Sequence, residues 1–279
     1  MACHNRRQTS VDAVRSLVDS AELAGSNLEF VIYDDGSSDG SSAALLELIP
    51  YATILYGDGS AFWAKSMARA ESYALEKCSL GAEDYLIWFN DDVSLLPESM
   101  TVMSRLANEF PDSICVGAMR DANSTDITYS GYVAGGIHPL RFDMVEPTGG
   151  VETIHTFNGN FVLVPVSVAR TLGGIDGGFS HALADFDYGL RAGRGNVAIR
   201  LAPVSIGTCS RNVEDPTLSL GKRWRQFVGT KGGGNFRSIR RILRRTSPAT
   251  WPLYLSSTYV LWWIRELTRI LGRWAPNGS

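Results

Sequence analysis

The sequence is poor in cysteine, in histidine clusters and in long apolar runs, and each shortage excludes a class of protein. Only 4 cysteines occur in 279 residues. Cys3, Cys78, Cys115 and Cys209 are widely spaced and form no C-x-x-C pair, so neither a disulfide framework nor a cysteine-rich zinc site is encoded. A reducing, cytoplasmic setting is expected. His4, His138, His155 and His181 are scattered, without metal-ligand spacing, and no local motif supports a Ser-His-Asp or Cys-His nucleophile. No basic, apolar and small-residue leader opens the chain, so export by a signal peptide is not expected. The longest uncharged apolar stretch, Trp251 to Ile264, falls short of the ~20 residues that cross a bilayer. No internal repeat or long low-complexity segment is visible, and the N-terminal region holds no glycine-rich, Lys/Arg-bearing loop of the kind that grips a triphosphate.

With 44% hydrophobic and 20% charged residues, the chain can bury a full core, and one main domain with an appendage is expected. The opening Met1-Ala2-Cys3-His4-Asn5 reads as the end of a buried strand entering a loop, with the upstream part of that strand absent. Net charge is −3, but residues 1–215 hold 14 Lys and Arg against 28 Asp and Glu, whereas residues 216–279 hold 12 against 1. An acidic body with a basic tail points to an anionic partner surface, a membrane or a nucleic acid.

Val11, Val14, Val18 and Ala21 recur at helical spacing after Thr9 and Ser10, with Asp12 as a possible capping partner. Leu28 to Tyr33 is rich in β-formers and breaks into Asp34-Asp35-Gly36-Ser37-Ser38-Asp39-Gly40, followed by a helical stretch from Ala43 to Leu48. Tyr85 to Phe89 repeats the pattern into Asn90-Asp91-Asp92, with a helix from about Pro97-Glu98. Further strands are expected at Ile114–Ala118, Phe161–Pro165 and Val197–Leu201. Such alternation describes an α/β domain on a largely parallel sheet, whose ligand crevice lies beyond the carboxyl ends of the strands. Both acidic clusters fall at such ends. Phosphates do not bind bare carboxylates, so a bridging hard cation, Mg²⁺ or Mn²⁺, is implied.

Each cluster also has a plain structural reading. Asp34-Asp35-Gly36-Ser37 is equally a turn with a helix cap. In His181-Ala182-Leu183-Ala184-Asp185-Phe186-Asp187-Tyr188-Gly189-Leu190-Arg191, Asp187 can pair with Arg191 one turn on as readily as it can serve a site.

Cys3-His4-Asn5-Arg6, Tyr33 to Gly40, Asn90-Asp91-Asp92, Asn158-Gly159-Asn160-Phe161 and Asp185 to Arg191, in this order, closely resemble glycosyltransferase family 2 enzymes of the GT-A fold, over roughly residues 1–212. The resemblance implies an α/β nucleotide-diphospho-sugar transferase fold, a Rossmann-like, mixed but mostly parallel sheet flanked by helices. This domain would occupy residues 1–215, with a basic, aromatic-rich helical extension over 216–279. It further implies an inverting transfer from a nucleotide-diphosphate sugar to an acceptor hydroxyl. Asp185 matches the catalytic base, Asp35 the residue at the donor base, Asp92 the direct metal ligand and Asp91 a position near the ribose and the metal. Asn5 belongs with the donor-nucleotide pocket.

Gly57 to Met67 resembles a donor-side segment of a rhamnosyltransferase-like branch. Trp63 would stack on a donor ring and Lys65 approach the diphosphate, unless the segment is a turn and helix whose aromatics pack in the core. Asn158 and Asn160 would offer amides to sugar hydroxyls, Gly159 permitting close approach. The sequence departs from the family at Ile206 to Asn212, where many relatives carry a further metal-ligating histidine and this chain has none.

From Pro216 to Arg265 there are ten Lys or Arg and no acid. The arginines and Trp251, Trp262, Trp263 and Trp274 suit a helix lying in an anionic membrane interface, which places the protein at the inner face of a membrane beside a glycan or lipid-linked acceptor. The alternative is that the aromatics pack on the body. No nucleic-acid-binding fold accompanies the charge, and no nucleic acid polymer is expected as a partner. A second functional class stays open, a non-catalytic, membrane-attached binding partner in a polysaccharide assembly system.

Overall fold

The structure is a computed structural model, and it describes residues 1–211 and 217–274. The first half runs β1 (Ala2–Cys3), α1 (Arg7–Ala24), β2 (Val31–Asp34), α2 (Ser41–Leu48), β3 (Thr53–Tyr56), α3 (Phe62–Lys77), β4 (Tyr85–Phe89), β5 (Ser94–Leu95) and α4 (Ser99–Glu109). Then come β6 (Ile114–Arg120), β7 (Ile127–Tyr129), β8 (Gly131–Ala134), β9 (Phe142–Val145), β10 (Glu152–Thr153), β11 (Thr156–Phe157) and β12 (Phe161–Pro165). The chain continues through α5 (Val166–Leu172), α6 (Ala184–Arg194), β13 (Ile199–Thr208), α7 (Leu220–Val228), α8 (Phe236–Thr246) and α9 (Trp251–Trp274).

Parallel pairing gives the order β3-β2-β1, and a parallel bridge from Ala2 to Asn90 joins β1 to the end of β4. The sheet continues β4-β12-β6-β13, with β12 antiparallel to both neighbours and β13 parallel to β6. With the short β5, β7 and β10 also antiparallel at its margin, the sheet is the mixed arrangement expected, its longer strands parallel apart from β12. Strands buried on both faces read as continuous apolar runs, and every residue of Phe161–Pro165 is buried. A small antiparallel sheet, β11-β8-β9, stands apart. Its strands are short and interrupted by polar residues, so periodicity gave no sign of it.

Helix α1 buries Val14, Leu17 and Ala21 as its spacing requires, but it starts at Arg7, before Thr9 and Ser10. The expected cap is therefore wrong. Tertiary contact replaces it: the Asp39 carboxylate, from the loop after β2, accepts the Arg7 N–H at 2.9 Å. The carboxyl ends of β1, β2 and β4 thus gather His4 to Arg6, Asp34-Asp35 and Asn90 to Asp92 along one edge.

At the opposite, amino ends of β2 and β4 lies a cavity of about 560 Å³, lined by Met1, Phe30, Val31, Leu86, Phe89 and the buried Glu71, among others. The Met1 ammonium borders it, donating to the Val31 carbonyl at 3.0 Å, and burial pulls its pKa down to about 6. Asp34, Asp35, Asp91, Asp92 and Asp185 do not line this cavity.

The expected boundary at residues 215 and 216 lies outside the described residues. Helix α8 docks on the body: Ile242 is fully buried in one cluster with Trp88, Val162 and Tyr188. Arg241 and Arg245 clasp Asp176, and Arg245 also reaches Asp187 at 2.8 Å. These two arginines, expected to face lipid, are paired with carboxylates of the body.

Candidate active site

The loop after β2 is built by its own carboxylates. Asp34, 2% exposed, accepts the Ser37 N–H at 2.8 Å and the Ser42 hydroxyl. Asp35, 5% exposed, accepts N–H groups of Gly59, Ala61 and Phe62, satisfying the start of α3. First-turn N–H groups lack partners within their own helix, so an acid delivered by a neighbouring strand caps α3 from outside. Asp35, expected at the donor base, is committed to this loop. Gly36 allows the fit: at φ +74° a side chain there would be strained, and its Cβ would lie 2.9 Å from the Gly59 nitrogen.

Asn5 braces the same loop, accepting from the Ser38 N–H at 2.8 Å and donating its backbone N–H to Ser37 at 2.9 Å. Arg6, next in sequence, bridges the acidic pair, with Nη1 3.2 Å from Asp91 Oδ1 and 2.8 Å from Asp92 Oδ2. Asp91 is the more enclosed of the two, its side chain 13% exposed against 35% for Asp92. Burial pushes the Asp91 carboxyl up to about 6 against the pull of Arg6, and the like charge of Asp92 adds to the rise.

Behind the acidic pair, Asn90 receives the Trp63 indole N–H at 2.7 Å and donates its backbone N–H to the Asn160 carbonyl at 3.1 Å. Trp63 meets Trp88 edge to face at 6.3 Å, so the indole serves as the wall of the site and its N–H is spent. Lys65 lies one turn into α3 and is half-buried. Asn160, expected to offer its amide to a sugar, is 4% exposed and donates instead to Cys209 at 3.4 Å. Cys209 in turn donates to Asp92 Oδ1 at 3.5 Å, and burial together with that adjacent charge raises its thiol pKa. The stretch that lacks the family's histidine thus sets a protonated thiol against Asp92. Asn212 lies outside the described residues.

Asp185 sits in the first turn of α6 and accepts N–H groups of Phe186 at 2.9 Å and Gly159 at 3.1 Å. Burial pushes its pKa up to about 6, opposed by those two N–H groups. Gly159 is required here, since a Cβ would stand 2.8 Å from the Trp63 ring. Asn158 accepts the Tyr132 hydroxyl at 2.8 Å beside Asp185. The backbone of residues 159 and 160 therefore ties the carboxylate of α6 to the acidic end of β4.

Asp187 proves structural: 2% exposed, it accepts Arg191 at 2.9 Å and Arg245 at 2.8 Å. Sequence reasoning passed over Arg6 as a partner of the acidic pair, as well as Cys209, Tyr132 and His181. The Trp63 backbone N–H donates to His181 Nδ1 at 3.4 Å, and burial pulls the imidazole pKa down to about 4, with the charges of Lys231 and Arg6 adding. The loop between α7 and α8 thus brings Lys231 within electrostatic reach of this wall. A backbone signal marks the same place. Non-glycine residues rarely adopt positive φ, and such strain concentrates at functional sites. Asn5, Phe62 and Leu183 take φ values of 50°, 55° and 76°, each within two residues of a site residue, while Asn196, at 59°, follows α6.

Paired carboxylates, a cationic side chain and a separate buried carboxylate thus meet at the carboxyl ends of the strands, where α/β sheets bind their ligands. The family described as Glycosyl transferase family 2 matches residues 1–160, more than half the chain, and the protein belongs to that family. No curated protein matches the sequence.

Among solved structures, GalNAc-T7 with UDP, GalNAc and Mn²⁺ is similar at TM-score 0.61 and 12% identity, covering 87% of this chain and 46% of that one. The mannosyltransferase PcManGT from Pyrobaculum calidifontis, with GDP-Man and Mn²⁺, gives 0.59 and 14%, covering 100% and 74%. S. aureus TarS 1-349 in complex with UDP-GlcNAc gives 0.55 and 11%, covering 92% and 69%. At such identities these likenesses speak for the fold, which is GT-A. The chain spans less than half of the GalNAc-T7 chain it matches.

Among the described residues no group of three or more His, Cys, Asp or Glu side chains is arranged to hold a metal. The donor set does fit a hard cation shared with a substrate. Mg²⁺ and its analogues take one or two carboxylates and complete their shell with phosphate and water, and Asp91 with Asp92 supplies that many.

Proposed function

We propose that the protein is an inverting glycosyltransferase, assisted by a divalent cation, that moves a sugar from a nucleoside-diphosphate donor to a hydroxyl of a glycan or lipid-linked acceptor. Its setting would be the synthesis of cell-surface polysaccharide or glycolipid. The observation that carries this reading is Asp185, a buried carboxylate with raised proton affinity, fastened through Gly159 to the loop that also anchors the acidic end of β4. A carboxylate so placed is suited to take a proton from a bound hydroxyl.

Donor entry would break the Arg6 bridge and turn that guanidinium toward the diphosphate, whose oxygens it matches better than a lysine would. Asp92 would hold Mg²⁺ or Mn²⁺, with Asp91 toward the ribose and the metal. When bound, the cation supplies positive charge for the departing diphosphate. Asp185 accepts the acceptor proton, and the freed oxygen attacks the anomeric carbon on the face opposite the diphosphate. That bond forms as the sugar–phosphate bond breaks, inverting the anomeric centre. Asn158 and the wall formed by Trp63 and Tyr132 position the sugar. Nucleotide sugars and Mn²⁺ in the similar structures support a donor and cation of this kind. The likeness of Gly57–Met67 to rhamnosyltransferase-like enzymes places rhamnose donors among those to test.

The test is calorimetric binding and turnover across a panel of nucleotide sugars, with and without Mn²⁺, on the parent chain, Asp92→Ala and Asp185→Asn. Metal-dependent binding of one donor, lost in Asp92→Ala, and transfer lost in Asp185→Asn with donor affinity kept, are expected. Donor binding without transfer by the parent chain would favour the non-catalytic partner. Absence of donor binding would overturn the enzymatic reading and leave the non-catalytic partner.

A further inference from the structure

Helix α9 packs with one face and leaves an apolar stripe on the other. Leu255, Trp262 and Glu266 are buried. Trp262 stacks on Phe227 at 5.4 Å and meets Trp224 at 4.9 Å, and Glu266, the one acid of residues 216–279, turns inward onto Arg223. Trp262, expected at lipid headgroups, is thus part of the protein's own packing, and Trp251 lies beneath Arg240 and Arg244. The aromatics divide between the two readings.

The outward line follows helical geometry. Leu253, Val260, Ile264 and Leu267 are spaced at seven, four and three residues, which aligns them at about 100° per residue. They are 72%, 56%, 49% and 53% exposed, flanked by Leu261 and Trp263. A contiguous exposed stripe of large apolar side chains marks a contact surface.

Charge identifies what it contacts. Among the described residues, ion pairs in this region use Arg223, Arg241 and Arg245. Lys222, Arg225, Arg237, Arg240, Arg244 and Arg265 are exposed, and no carboxylate among the described residues forms an ion pair with them. We propose that α9 lies in the plane of an anionic lipid bilayer, its stripe among the acyl chains, Trp263 at the headgroups and the unpaired cations of α7, α8 and α9 on lipid phosphates. No described helix is long and apolar enough to cross a membrane, so the contact is interfacial. A second copy is a poor occupant, because pairing these faces would bring together two surfaces each with 12 cations and 1 acid over residues 216–279. The proposal stands on the extension alone and does not depend on the catalytic reading.

The experiment is co-sedimentation of the full chain with phosphatidylcholine vesicles, with and without a third of phosphatidylglycerol. Binding to the anionic vesicles is expected to be at least ~10-fold stronger and to weaken as salt is raised. Val260→Asp combined with Ile264→Asp alters two exposed positions, so its circular dichroism and Tm should match the parent while vesicle binding falls at least ~10-fold. Arg240→Glu with Arg244→Glu should abolish the preference for phosphatidylglycerol. The proposal is overturned if the parent chain stays in solution with anionic vesicles, if the double aspartate variant pellets as the parent does, or if light scattering shows a stable dimer that this variant dissociates.

Discussion

At the scale of single residues, the decisive contact is the guanidinium of Arg6 between Asp91 and Asp92. A divalent cation must compete with it for the same oxygens. Arg6→Ala should therefore bind Mn²⁺ more tightly in the absence of donor, by about tenfold, or ~1.4 kcal/mol. Electron paramagnetic resonance of free Mn²⁺ reads this directly, and unchanged or weaker binding would assign Arg6 a supporting role. Asp185 makes a second prediction. Its carboxyl is raised to about 6, and a base acts only when ionised. With the folded value above the ordinary carboxylate range, the active fraction is complete above that pH and declines below it. A plot of log kcat/KM should be level above about pH 6 and fall beneath it, with Asp91 titrating in the same range. Asp185→Asn should reduce turnover ~10²–10⁴-fold. A profile with no break in the acid range would remove Asp185 from the proton transfer.

At the scale of elements, the slot between β2 and β4 is the weak point of the sheet. Strand β1 pairs with β2 only at Tyr33 and Asp34, and among the described residues β4 is paired along its length on one side alone, by β12. The cavity of about 560 Å³ fills the remaining space and contains the unpartnered Oε1 of Glu71 near its wall. Helix α1 teaches another lesson about elements. Its apolar spacing was legible, but its start was set by Asp39, a residue 32 positions away, and local capping rules could not see that.

At the scale of the whole molecule, the basic extension is joined to the body by core packing as well as by sequence. Ile242 lies in the cluster that holds Trp88 and Tyr188, and Asp176 and Asp187 are neutralised from α8. Removing an arginine from so enclosed a carboxylate leaves a costly buried charge. Urea unfolding followed by far-ultraviolet dichroism and by tryptophan fluorescence should thus give one coincident transition. Two separated transitions would make residues 217–274 an independent unit.

Legibility in the sequence followed the range of the forces involved. The alternation of strands and helices, the acidic strand ends, the family motifs and the surplus of cations after residue 215 were all local or compositional, so the sequence by itself determined the fold class and the outline of the site. Tertiary structure decided how each polar group is spent. Asp35 and Asn160 sit in the right motifs yet satisfy backbone and thiol partners, because a buried polar atom must find a hydrogen bond wherever one is near. Arg6, Cys209 and His181 enter the site from distant segments, and no periodicity encodes that meeting. The same holds for the arginines of the tail. Which of them pair with Asp176 and Asp187, and which remain free for an anionic surface, depended on how α8 came to rest against the core.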